Sequence, residues 1–129
     1  VSFYFPPCGG VAVQRSVKFA RHLPAYGWKP FILTESESAF AHLPADADLL
    51  DQLGEAQIIR TSPGIRDAFH RNVHRLRLNS LADLCTPVDM HYLWSLQATS
   101  VARALFTAGE IDAIYTTSPP ASSHLVGLR

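Results

Sequence analysis

The sequence predicts an α/β fold in which helices flank a mainly parallel sheet. Short apolar, strand-like segments alternate along the chain with longer segments whose apolar residues recur at helical spacing. Several of the short segments end at proline or glycine, as strands do where they turn into a helix. A strand, a helix and a second strand in succession need a crossover connection, and such connections build parallel sheets.

The first strand and helix open the chain. Val1–Phe5 is apolar and aromatic and is followed by two prolines, which predicts a buried strand. A helix is predicted from Val11 until Pro24 and Gly27 end it. Its apolar residues share one face and its basic residues the other, namely Val13, Val17, Ala20 and Leu23 against Arg15, Lys18, Arg21 and His22.

Two more strands are predicted in the middle of the chain. They are Pro30–Thr34 and the weaker Gln57–Arg60, with a short helix at Asp46–Leu53 between them. The order strand, helix, strand is the one that a parallel pair requires.

The later part of the chain repeats the pattern. A longer helix is predicted at Leu93–Ala108, with its apolar side formed by Leu93, Leu96, Val101, Ala104 and Leu105. Asp112–Thr117 is the clearest late strand, and a last helix begins near Ser122. Ligands of parallel sheets bind at the carboxyl ends of the strands, so the loops after Phe5 and Thr117 are the expected site.

The composition is typical of one intracellular globular domain spanning residues 1–129. Hydrophobic residues make up 47% and charged residues 17%, which excludes a disordered charged tail. Eleven basic residues balance eleven acidic ones, so we expect no nucleic-acid partner. Two cysteines are too few for a disulfide framework and favour a cytoplasmic setting. The chain lacks an initial methionine and stops in an apolar run, so we expect a piece of a longer protein.

Gly9 and Gly10 form the first candidate site, between the first strand and the first helix. Glycine lets a ligand approach the backbone, and the free amides of a helix start attract phosphate. A tight turn without a ligand explains the same residues. A dinucleotide site is the third interpretation, with Glu35 as its ribose-binding acid, but Val13 occupies the place of the third glycine and weakens it. Arg15 is either a phosphate-binding helper near the helix start or a solvated surface side chain.

The second candidate site runs from Thr116 to His124. Hydroxyl groups and an imidazole at a helix start suit hydrogen bonding to a sugar or phosphate, whereas helix capping alone explains Ser122 and Ser123. No acid is spaced to complete a Ser-His-Asp triad, which argues against a hydrolase.

These two sites resemble parts of a known family. The motif Phe5-Pro6-Pro7-Cys8-Gly9-Gly10, followed by Arg15 and the stretches 18–23 and 26–34, resembles the opening of family 4 glycosyltransferases. The stretch 87–89 with Trp94, the stretch 111–120 and then Ser122-Ser123-His124-Leu125 resemble the later part of the same domain. The resemblance covers both ends of the chain, and the region from Glu35 to about Asp83 is not distinctive.

The resemblance implies a Rossmann-like amino-terminal domain of a two-domain GT-B enzyme that transfers a sugar with retention of configuration, without a metal or other cofactor. The donor would be a nucleotide-sugar and the acceptor a glycan or lipid-linked molecule, as in polysaccharide biosynthesis. Gly9, Gly10 and Arg15 would bind the donor phosphates, and Ser118, Ser122 and His124 would line the acceptor side. Asp89 and His91 are weaker catalytic candidates. The family's paired-glutamate motif belongs to a second domain that this chain lacks, so we expect the chain alone to be inactive.

A basic segment, Arg66–Arg77, carries an apolar stripe formed by Ile65, Phe69, Val73 and Leu76. One interpretation is peripheral attachment to the inner face of a membrane; the other is an ordinary helix packed on its own domain. His70 and His74 have the spacing of a zinc pair, but Arg71 stands where the glutamate of a metalloprotease would be.

Two functions without catalysis remain open. One is a Rossmann-like module that binds a nucleotide or phosphate, and the other is a domain kept for protein contacts.

Overall fold

The computed structural model describes residues 1–46, 48–62 and 88–128. Its helices are α1 (Val11–His22), α2 (Asp48–Asp51), α3 (Tyr92–Thr107) and α4 (Ser123–Leu128), with 3-10 turns at Leu23–Tyr26 and Glu37–Phe40. Its strands are β1 (Phe31–Thr34) and β2 (Gln57–Arg60). The basic segment Arg66–Arg77, its His70–His74 pair and Cys85 lie outside the described residues.

The two strands pair in parallel, as predicted. Phe31 lies opposite Gln57 and Thr34 lies opposite Arg60. The connection between them includes the second 3-10 turn and α2, which is shorter than the predicted helix Asp46–Leu53. The structure thus combines helices with a two-stranded parallel sheet, which is compatible with the predicted α/β class.

The other two predicted strands, Val1–Phe5 and Asp112–Thr117, do not form assigned strands. They are nevertheless hydrogen-bonded into the same layer: Ser2 N–H donates to Leu33 O at 3.0 Å, and Thr117 N–H donates to Val1 O at 3.1 Å. The Val1 nitrogen also donates to Tyr115 O at 2.6 Å. Between the described residues of these segments, each ladder has only one or two such backbone bonds.

Helix α1 has the predicted faces. Val13, Val17 and Ala20 are buried, and the four basic residues on the other face are exposed. The first 3-10 turn continues α1, and Gly27 closes it in the left-handed conformation with a φ of 81°.

Helix α3 is confirmed, but its predicted buried side is wrong. The buried residues are Trp94, Ser95, Ala98, Thr99 and Ala102. Leu96 is 42% exposed. Small side chains let the helix approach the core, and the two buried hydroxyl groups donate to carbonyls of the preceding turn: Ser95 to Tyr92 O and Thr99 to Ser95 O, both at 2.7 Å.

The core lies around the amino-terminal segment. The Phe3 ring packs edge-on against Trp94 of α3, with ring centroids 4.9 Å apart. The neighbouring Ser2 hydroxyl lies 3.1 Å from the Ser16 hydroxyl of α1. Consecutive residues therefore contact different helices, and the segment lies between α1 and α3. Within the described residues, none of the helices combines the length and apolar character needed to cross a bilayer.

Candidate functional site

The glycine loop is held by its own chain on one side. Gly9 N–H donates to Pro44 O at 2.8 Å, and Asp46 N–H donates to Pro7 O at 2.7 Å. A Cβ on Gly9 would lie 3.2 Å from the Cβ of Asp46, closer than most real contacts. Gly9 thus permits a close approach of residues 44–46, and its amide is already used within the protein.

Gly10 is the open part of the loop. It precedes α1 with a φ of 129° and a ψ of 162°, a conformation that is essentially restricted to glycine. A Cβ there would meet nothing within 4 Å, so backbone conformation rather than space requires glycine. Helix α1 has no side-chain cap and no acidic residue in its first turn. Its first amides are therefore suited to an anion.

Arg15 brings the two candidate sites together. Its Nη2 donates to Thr117 Oγ1 at 3.0 Å and to Ser118 O at 2.7 Å. The side chain is exposed, but these bonds fix it, so it is not the freely solvated arginine that one interpretation allowed. Because α1 starts at the glycine loop, the loops after Phe5 and Thr117 lie on the same side of the molecule, as the parallel arrangement predicts.

Asp89 braces the start of the last helix. Its Oδ1 accepts from His91 N–H and its Oδ2 from Ser122 N–H, both at 2.8 Å. Burial raises the pKa of this carboxyl, but the hydrogen bonds from the Ser122 and His91 amides outweigh burial, so the pKa lies below its usual value. A carboxylate of low pKa with both oxygens engaged is a poor base.

The other predicted residues differ in accessibility. The imidazole of His91 packs against the Phe3 ring at a tilt of 46°, with ring centroids 4.0 Å apart. His124 is exposed, and its Nδ1 lies 2.8 Å from Thr116 Oγ1. Ser118 is exposed and uses its carbonyl for Arg15. Ser122 is fully buried, so Ser118 and His124 are the acceptor-side candidates that face solvent.

The capping role that the sequence suggested for Ser122 and Ser123 is wrong. Both hydroxyl groups are fully buried, and neither has a hydrogen-bond partner among the described residues. The cap comes instead from Asp89, which is 33 residues away in sequence. A carboxylate at a helix start is also favoured by the helix dipole.

A buried polar network beside the site was not predicted from the sequence. Glu35 follows β1, is 3% exposed, and its Oε1 accepts from Ser36 N–H at 2.7 Å. Thr61 Oγ1 lies 3.0 Å from the same oxygen and accepts from Trp94 Nε1–H at 3.1 Å. Glu35 is therefore enclosed in the fold rather than presented to a ribose. The sequence signal that could have indicated this network is that an acid, Glu35, and a threonine, Thr61, each directly follow a strand.

Cys8 is a small buried residue of the turn. It is 2% exposed, and its thiol donates to Phe5 O at 3.0 Å. Burial raises the pKa of the thiol, which argues against a reactive thiolate. Among the described residues, no three His, Cys, Asp or Glu side chains lie together in a way that could hold a metal ion.

The candidate site is an open surface. A cavity of about 920 Å³ borders it: the lining includes Leu23, Phe31 and Thr117 but neither Gly9 nor Gly10. A ligand at Gly10 and Arg15 would be enclosed only if a second surface covered it.

Comparisons with models of known protein families, with curated proteins and with solved structures found no match to this chain. The resemblance to family 4 glycosyltransferases therefore depends on the sequence motifs alone.

Proposed function

We propose that this chain is part of the Rossmann-like amino-terminal domain of a retaining GT-B glycosyltransferase. The full-length protein would move a sugar from a nucleotide-sugar to a glycan or lipid-linked acceptor. The observation that carries the proposal is the pair of hydrogen bonds from Arg15 to Thr117 and Ser118. They join the two sequence blocks that resemble the family.

The geometry supports different roles for the two blocks. Gly10 and the uncapped start of α1 offer backbone amides to the donor's diphosphate, and Arg15 adds a positive charge nearby. Ser118 and His124 offer polar groups that suit sugar hydroxyl groups. A cleft between two domains requires an open surface like this one on each domain that forms it, and these two loops would form one such surface.

Gly10→Val in the full-length protein tests the loop's role. The backbone conformation makes this substitution cost about 1–3 kcal/mol of stability, so a loss of activity alone would be ambiguous. Gly27→Val is the matched control, since Gly27 also has a positive φ and open space but lies at the other end of α1. We expect kcat/KM for transfer to fall at least about tenfold further in Gly10→Val than in Gly27→Val.

Equal activity of the two folded variants would contradict the role of the loop. If the wild-type protein transfers no sugar from any nucleotide-sugar but binds nucleotides, the non-catalytic module is correct instead. A downstream domain with a paired-glutamate motif would support the transferase.

A further inference from the structure

Arg60 connects three neighbouring parts of the chain at the carboxyl edge of the strands. It is the last residue of β2, and its side chain is 21% exposed. Nη2 donates to Pro6 O, Nη1 donates to Glu35 O at 3.4 Å, and Nε lies 3.1 Å from Glu37 Oε1. Pro6 follows the amino-terminal segment and Glu35 follows β1. All three guanidinium nitrogens therefore hold Pro6, Glu35 and Glu37 next to the end of β2.

The bond to Pro6 is important because of the loop's composition. Pro6 and Pro7 have no N–H groups, so this half of the loop can be held only through its carbonyls. The Pro7 carbonyl accepts from Asp46 N–H, and the Pro6 carbonyl accepts from Arg60. Gly9 is fixed farther along by Pro44, which leaves Gly10 as the open end.

The guanidinium also places positive charge behind the loop. Burial is the main effect on the Cys8 thiol and raises its pKa, while the charge of Arg60 acts in the opposite direction. Glu37, the ion-pair partner, is 58% exposed, so water screens the carboxylate more than it screens the half-buried guanidinium.

We propose that Arg60 is a positioning residue, which holds the loop Pro6–Gly10 so that Gly10 and the start of α1 face an anionic ligand of the diphosphate class. The nature of that ligand rests on the proposed function, whereas the loop's dependence on Arg60 does not. Lysine has one ammonium group and cannot reproduce a planar fork with three directed donors.

The test compares Arg60→Lys and Arg60→Gln in the full-length protein with the control Arg21→Gln. Arg21 is an exposed cation at the far end of α1. Hydrogen exchange at the Gly9 amide reports the loop, and titration with inorganic pyrophosphate reports the anion site without assuming a nucleotide. We expect faster exchange at Gly9 and about tenfold weaker pyrophosphate binding in both Arg60 variants, and less than a twofold change in the control.

Arg60→Lys keeps the charge, so its weakened binding together with faster exchange at Gly9 would support positioning. Unchanged pyrophosphate affinity in either folded variant would overturn the inference. So would weaker binding without any change in exchange at Gly9, failure of the wild-type protein to bind pyrophosphate, or failure of both variants to fold. A wild-type protein that binds pyrophosphate but transfers no sugar would instead overturn the proposed function and leave the positioning role supported.

Discussion

Asp89→Asn isolates a hydrogen bond that connects the start of α3 to the start of α4. The carboxylate accepts one backbone N–H with each oxygen, at His91 and Ser122. An asparagine keeps one acceptor oxygen, which suits the nearby His91 amide, and turns an NH₂ group towards Ser122. A hydrogen bond to a charged group contributes about 1.5–3 kcal/mol, and the partial exposure of Asp89 favours the lower half of that range. We expect a loss of about 2 kcal/mol at pH 7, or about 5–10 °C in Tm.

The same bond predicts a dependence on pH. The pKa of Asp89 in the folded protein lies below its usual value of about 3.9, so its contribution is complete above that pH. It is lost as the pH falls through the lower, folded-state pKa. The stability gap between wild type and Asp89→Asn should therefore shrink in acid, because the variant has no carboxyl to protonate at this position.

Urea denaturation at pH 7 and at about pH 3 measures both effects. The control is Asp112→Asn, which changes an exposed carboxylate that has no hydrogen bond to any described residue and should alter stability by less than about 0.5 kcal/mol. If Asp89→Asn matched the wild type at pH 7, or if the gap persisted undiminished in acid, the bracing role would be refuted.

Three further substitutions or treatments test the buried polar groups. Thr61→Val removes the partner of Glu35 and Trp94 and should lower the free energy of unfolding by about 2–4 kcal/mol, whereas Thr61→Ser should recover most of it in the same urea titration. Ser123→Ala removes a buried hydroxyl that has no partner among the described residues, and calorimetry should find the variant as stable as the wild type or up to about 1 kcal/mol more stable; a variant that is less stable than the wild type by more than about 1 kcal/mol would contradict the unpartnered state of this hydroxyl. Cys8 should resist alkylation at pH 8 until urea unfolds the protein, as peptide mapping would show, and rapid labelling of the folded protein would be inconsistent with its burial.

Local patterns predicted the elements whose own residues determine them. Helix α1, with Val13 and Val17 inward and its basic residues outward, follows from spacing alone. The strands β1 and β2 follow from short apolar runs. The buried face of α3 does not follow from apolar spacing, because the hydroxyl groups of Ser95 and Thr99 are hydrogen-bonded within the helix and these residues pack like small apolar ones.

The proximity of the two candidate loops could be predicted from the sequence, but the contacts between them could not. Placing the glycine loop and the Thr117 loop on the same side of the molecule required only the predicted alternation of strands and helices. The bond from Arg15 to Thr117 spans 102 residues, and that from Trp94 to Thr61 spans 33. No local periodicity encodes such pairs, since they depend on which elements become neighbours in three dimensions.

The position of Val1 between Leu33 and Thr117 has a consequence for how the protein folds during synthesis. The segment Val1–Ser2 is bonded on one side to Leu33 by way of Ser2, but its neighbour on the other side is synthesised more than a hundred residues later. Closing so long a loop costs conformational entropy before the contacts between its ends form. This cost slows folding. Arg15 therefore acquires its partners only once Ser118 has been translated and released.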